Sequence, residues 1–225
     1  MSKAVSLHHQ FEDLEQQTHS STLGMWVFLA TEILFFGALF ACYEIYRIRW
    51  PEAFRHGGSE LLIWVGGINT AVLLTSSLFM ALAVHSAAHG DNRRLVRYLI
   101  LTIALGVLFL VFKSFEYYKE YQEHLVPRIN FAHVPPHEAH LPPAQQHRRP
   151  NAEELFFVFY FCMTGLHAIH MIIGVGVMSW LIWMARRNRF SAEYHNPVEV
   201  AGLYWHFVDV VWVFLYPCLY LLRQP

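Results

Sequence analysis

An ionisable side chain inside a long apolar stretch costs a few kcal/mol on insertion scales, so each one needs a partner or a task. Glu32 lies in Leu29-Ala30-Thr31-Glu32-Ile33-Leu34-Phe35-Phe36. Two compatible readings stand for it. It is a protonated carboxyl hydrogen-bonded to a neighbouring helix, or a carboxyl that exchanges protons and orders lipid headgroups. Further along, Thr164-Gly165-Leu166-His167-Ala168-Ile169-His170 sets two imidazoles three residues apart, on one helical face. That spacing could hold a metal. In Tyr204-Trp205-His206-Phe207-Val208-Asp209-Val210-Val211-Trp212, His206 and Asp209 are also three apart and can pair. The bland alternative for all four is that they bind helices together through buried hydrogen bonds, each worth about 1 kcal/mol in a membrane. Lys113 and Glu116 share a face as well, and an interfacial salt bridge accounts for them. Tyr117 and Tyr121 beside them suit an aromatic belt.

Other constellations argue against metal or nucleophile chemistry. His85 and His89 form an H-x-x-x-H, which with His167 and His170 could suggest a membrane di-iron oxygenase. Such a site needs many histidines boxed near one membrane face, whereas His167 and His170 fall within a span and no H-x-x-H-H occurs. A heme held by this chain alone would need histidine pairs on facing helices, and the last span offers only His206. Cys42, Cys162 and Cys218 fall in separate apolar blocks and make no C-x-x-C, so neither a zinc knot nor a disulfide framework is indicated. A net charge of -1 gives no footing for nucleic acid. The sequence therefore predicts no catalytic, metal-binding or cofactor-binding residue.

The elements that must position these groups follow from hydropathy. Of 225 residues 55% are hydrophobic, gathered in five blocks near the ~20 residues that cross a bilayer core. The predicted spans are about 23–46, 61–84, 95–117, 155–184 and 200–222. The second, Leu61 to Val84, has no charged residue. Backbone amides in lipid need internal partners, and continuous blocks exclude the alternation of a barrel. An all-α integral membrane bundle of five transmembrane helices is the expectation. Residues 1–21 form a polar tail without the pattern of a cleaved signal, and 22–225 the transmembrane domain. The fourth block exceeds the core thickness and should tilt or project. Pro217 should kink or end the fifth helix.

Arg93, Arg94 and Arg97 follow span two, and Arg186, Arg187 and Arg189 follow span four, which favours N-in/C-out. Arg47, Arg49 and Arg55 on the opposing link reduce that asymmetry. The long connection 119–154 carries His124, His133, His137, His140 and His147 among prolines, at irregular spacing. An exposed loop packing on a neighbouring subunit suits it better than a metal tract. No repeat is visible, against the paired halves of secondary transporters. Small residues, among them Gly66, Gly67, Ser76, Ser77, Gly165, Gly174 and Gly176, predict close helix packing without a water-filled pore.

In order along the chain, four stretches resemble subunit III of the heme-copper respiratory oxidases. They are Gly24-Met25-Trp26-Val27-Phe28-Leu29 with Thr31-Glu32-Ile33-Leu34-Phe35-Phe36, then Ser114-Phe115-Glu116-Tyr117, then the segments holding His167 with His170 and His206 with Asp209. The likeness is to the shorter, five-helix form. It implies a chain without heme or copper that flanks catalytic subunit I, with subunit II nearby, in a bacterial cytoplasmic membrane. It also implies ordered phospholipids in a cleft, a neighbouring oxygen route, and N-in/C-out topology. Glu32 matches the family's membrane-embedded carboxylate, and Glu116, His167, His170, His206 and Asp209 are expected to form a structural polar network. The expected function is support of proton-pumping oxygen reduction by cytochrome c oxidase. The segment from Phe131 to Pro150 has no family counterpart that can be placed. Quinol oxidase subunit III and nitric oxide reductase accessory proteins are related short chains and remain open, as does membership of a larger supercomplex. A di-iron oxygenase is the alternative from another class.

Overall fold

The computed structural model describes residues 13–129, 131 and 150–221. Its helices are α1 (Leu14–Arg49), α2 (Pro51–Glu60), α3 (Ile63–Ala88), α4 (Asn92–Gln122), α5 (Pro150–Arg186) and α6 (Asn196–Tyr216). Five helical segments, α1, α3, α4, α5 and α6 with its terminal turn, are long and apolar enough to cross a membrane. Among the described residues the only β pairing is an isolated bridge between Ser191 and Tyr194.

Local chemistry sets the helix ends. Asp13 accepts a hydrogen bond from the Gln16 amide at 2.6 Å and starts α1 nine residues before the expected Leu23, so the end of the polar tail is helical. Asp91 caps α4 in the same way through the Arg94 amide at 3.0 Å. That amide and the nearby guanidinium hold the Asp91 carboxyl below the usual carboxylate range. Gly90 (φ 71°) ends α3 in the left-handed region, where glycine has no Cβ penalty, and Asp91 N–H reaches back to the Ser86 carbonyl at 3.0 Å. Asn188 (φ 51°) closes α5, where Arg189 N–H returns to Met184 at 3.2 Å. These two links meet, with Asn92 Nδ2 donating to the Phe190 carbonyl at 3.1 Å.

The link expected after the first span is itself a helix. Trp50 and Pro51 start α2, which lays Phe54 and Gly57 against the bundle. A Cβ on Gly57 would run into the ring of Phe156, so only glycine fits there. At the far end, Pro217 ends α6 and the chain continues as a π-helical turn, Pro217–Leu221. The missing proline N–H breaks the regular ladder, as the sequence predicts.

Packing centres on α6, the most buried span, and on Trp205. A Cβ on Gly106 of α4 or Gly174 of α5 would lie 2.8 Å from the Trp205 ring. The two glycines thus form a slot for the indole, whose Nε1 donates to Ser76 Oγ at 3.1 Å. Lipid tails are as apolar as the core, so such close contact and hydrogen bonding drive helix association here, with little help from water exclusion. Ser76 also donates to the Thr102 carbonyl, fixing the register of α3 against α4. By contrast α1 is the least buried span; it packs on α5 and α6 and shares no packed interface with α3.

Candidate functional site

The Lys113 ammonium lies near the C-terminal end of α4, with its side chain 3% exposed. Its three N–H groups meet three acceptors: Glu116 Oε2 at 2.8 Å, the Tyr160 hydroxyl at 3.0 Å and the Tyr220 hydroxyl at 3.1 Å. Tyr220 in turn donates to Glu116 Oε1 at 2.6 Å, so both carboxylate oxygens are used. The rings of Tyr117, Tyr160, Trp212 and Tyr220 surround the ammonium at 4.8–5.8 Å. Next to this node the Tyr117 hydroxyl and Thr164 Oγ1 lie 2.6 Å apart, joining α4 to α5 again. The expected interfacial salt bridge is therefore a buried ion pair tying α4, α5 and the terminal π turn. Glu120, one turn on, is buried too; the Tyr160 hydroxyl interacts with it, yet neither carboxyl oxygen makes a hydrogen bond of standard geometry.

Glu32 meets a second group of residues. Its Oε2 lies 3.3 Å from His170 Nε2, the two side chains being 18% and 14% exposed. His170 Nδ1 is 2.8 Å from the Leu166 carbonyl, which can only accept, so Nδ1 carries a hydrogen. In the neutral ring the Nε2 lone pair then faces the carboxyl. The contact is a close approach of carboxyl and imidazole, and among the described residues Glu32 Oε2 makes no hydrogen bond of standard geometry. Phe36 packs edge-on to the His170 ring at 5.4 Å, and Tyr204 donates to the His170 carbonyl at 2.9 Å.

The two histidines of α5 part ways in space. His167 is buried between Phe109 and Trp212, with ring centroids 5.4 and 5.2 Å away, and neither ring nitrogen has a hydrogen-bond partner among the described residues. Among the described residues no three His, Cys, Asp or Glu side chains converge as metal ligands would. The His85 and His89 rings lie 4.4 Å apart, tilted by 47°, and are exposed at the end of α3.

His206 and Asp209 do not pair with each other. His206 Nδ1 lies 2.6 Å from Ser77 Oγ on α3 instead. Ser77 also interacts with the Asp209 carboxyl, which is buried and has no hydrogen bond of standard geometry. A three-residue step permits an intrahelical pair, but both side chains point toward α3 and find the serine first. The structure thus brings Glu32 to His170 and places Glu116, His167, His206 and Asp209 in three further settings. Sequence reasoning missed Tyr160 and Tyr220, partners of Lys113, and also Asn69, fully buried on α3 with no partner among the described residues. The lysine inside an apolar block was the signal that such partners must exist. The loop histidines His133, His137, His140 and His147 lie outside the described residues.

A multi-pass helical membrane protein with paired and hydrogen-bonded ionisable groups between its spans is the class this geometry defines. The family model described as Cytochrome c oxidase subunit III matches residues 8–122 and 151–223, and the chain belongs to that family. The match leaves out residues 123–150. A cytochrome c oxidase subunit 3 from Thermostichus vulcanus is 31% identical over 225 residues, covering 98% of this chain and 94% of the relative. Its counterpart in Synechocystis is 30% identical over 216 residues, covering 96% and 78%. The protein of the same name from Sus scrofa is 29% identical over 205 residues, covering 88% and 67%.

Proposed function

We propose that this chain is the accessory, non-redox subunit III of a proton-pumping cytochrome c oxidase in a bacterial cytoplasmic membrane, oriented N-in/C-out. It packs on subunit I, with subunit II in the same assembly, orders phospholipids along its sparsely covered first span, and supports oxygen access and proton uptake. Heme and copper belong to the partner subunits; this chain supplies no catalytic centre. Cytochrome c is the electron donor in this reading because the similar curated proteins are named for cytochrome c oxidase.

The observation that carries a functional role for this chain, beyond packing, is the Glu32–His170 contact. It joins the least buried span to the bundle by a carboxyl facing an imidazole, two side chains that can each hold a proton. Such a pair suits proton exchange near the surface of a proton-consuming enzyme. Glu116, His206 and Asp209 serve the same reading as separate polar contacts between helices, while His167 contributes ring packing between Phe109 and Trp212. The test is Glu32→Ala in the assembled oxidase. Assembly should be retained, while proton uptake slows and activity is lost in fewer turnovers. Unchanged turnover lifetime together with unchanged assembly would remove Glu32 from the function. Mild-detergent purification through this chain should recover a heme-bearing subunit I, with all heme assigned to other chains by mass spectrometry. Recovery of the chain alone, carrying iron, would promote the oxygenase alternative.

A further inference from the structure

α1 and α3 both pack on α6 but share no packed interface, so α6 forms the floor of a groove with a helix on each side. His206 stands on that floor, half-buried, with Nδ1 held by Ser77 of α3. Among the described residues Nε2 has no hydrogen-bond partner. Asp209 lies one turn on, 3% exposed, with both carboxyl oxygens unpartnered and the same Ser77 beside it. Along the seam of α3 and α6, Gly67, Ala71 and Tyr216 line an apolar recess of about 350 Å³.

Depth decides what can occupy this groove. The span Asn196–Leu221 has 26 residues, and His206 is the eleventh. The apolar stretch begins at about residue 200, so at 1.5 Å per residue His206 sits about 9 Å inside a core about 30 Å thick. Headgroups and bulk water do not reach that level, and acyl tails offer no hydrogen bond. A side-chain nitrogen left bare there costs free energy that a polar group on another protein helix would recover.

We propose that the α1–α6–α3 groove is the docking surface for one transmembrane helix of a partner oxidase subunit, which places a hydroxyl or carboxamide side chain against His206. Those two chemistries can both donate and accept, so they serve the imidazole in either tautomer. The small residues at Gly67 and Ala71 let that helix approach closely on the α3 side. The inference rests on the accessory-subunit reading and specifies which face of the chain the assembly uses.

The test is photo-crosslinking in the complete oxidase in native membranes. A benzophenone amino acid is placed at Val210 on α6, and at Val111 on α4 for comparison. Val210 should capture a transmembrane segment of an oxidase subunit, whatever Val111 captures. His206→Leu should lower partner recovery in mild detergent about five-fold, the weight of one interhelical hydrogen bond in a membrane. His206→Gln, which keeps a hydrogen-bonding group, should restore most of it and so separate the bond from a folding defect. Lipid adducts alone at Val210, with a subunit captured at Val111, would overturn the groove and leave the accessory reading standing. No oxidase subunit at either position, and none co-purified, would overturn both. Full recovery with His206→Leu would remove the imidazole from the interface and the proposal with it.

Discussion

The Lys113 node and the Glu32–His170 pair are both acid–base contacts inside the membrane span, and they are built in opposite ways. Lys113 and Glu116 are sequestered, every ammonium proton and both carboxylate oxygens are used, and three elements meet there. Glu32 and His170 touch once, at 3.3 Å, on a flank that stays partly open. Each side of the first pair is locked by groups that cannot leave without unpacking the bundle. The second pair sets a carboxyl against an imidazole between two helices that otherwise touch sparingly. Charge in hydrocarbon is thus used as a fastener in one place and as an adjustable contact in the other.

The largest effect should come from breaking the fastener. Lys113→Met leaves Glu116 buried without its cation and should cost about 3–5 kcal/mol of stability. Thermal unfolding of the purified complex, followed by the release of this subunit, would measure it. Adding Glu116→Leu should recover most of that loss, because removing both charges also removes their desolvation cost. A double variant no more stable than the single one would mean that the ion pair is not what destabilises it. Tyr220→Phe deletes one hydroxyl that bonds both charges, and a loss of about 1–3 kcal/mol is expected.

Glu32→Gln should move the unfolding midpoint less than any change at the node, under about 1 kcal/mol. The same variant should slow proton uptake, which a stopped-flow indicator assay reads directly. A midpoint shift as large as that of Lys113→Met would erase the contrast between the two sites. The smallest effect is expected at Asp91, outside both. Its folded carboxyl titrates below the ordinary value, so the cap contributes above the unfolded pKa and is lost as pH falls through the folded one. Asp91→Ala should therefore lower the midpoint slightly at neutral pH and not at all in strong acid, as an acid-limb melting series would record.

Much of the architecture was legible from residue order alone, because lipid imposes length on each apolar block and forbids unpaired backbone. Pro217 marked the end of α6 for an equally local reason. The start of α1 and the whole of α2 were not legible in the same way. Their residues are polar enough to read as tail and link, and their helicity comes from Asp13, Trp50 and Pro51 acting with the packing of Phe54 on α5. His167 and His170 share a helical face by count, yet one is sealed against Trp212 and the other reaches Glu32.

The sequence by itself determined five spans, their limits to within a few turns, the family, and the fact that Lys113, Glu32 and His206 each required a partner. Hydrophobic length and the cost of bare charge in lipid are local quantities, so order along the chain carries them. Glu116 was legible as the partner of Lys113 from its three-residue step, and only the tertiary structure decided the others. Lys113 takes hydroxyls 47 and 107 residues away, and His206 takes Ser77 across 129 residues in place of Asp209 one turn on. Those choices depend on how each helix is rotated about its axis. That rotation is fixed by the packing of rings such as Trp205 into glycine slots on two other helices.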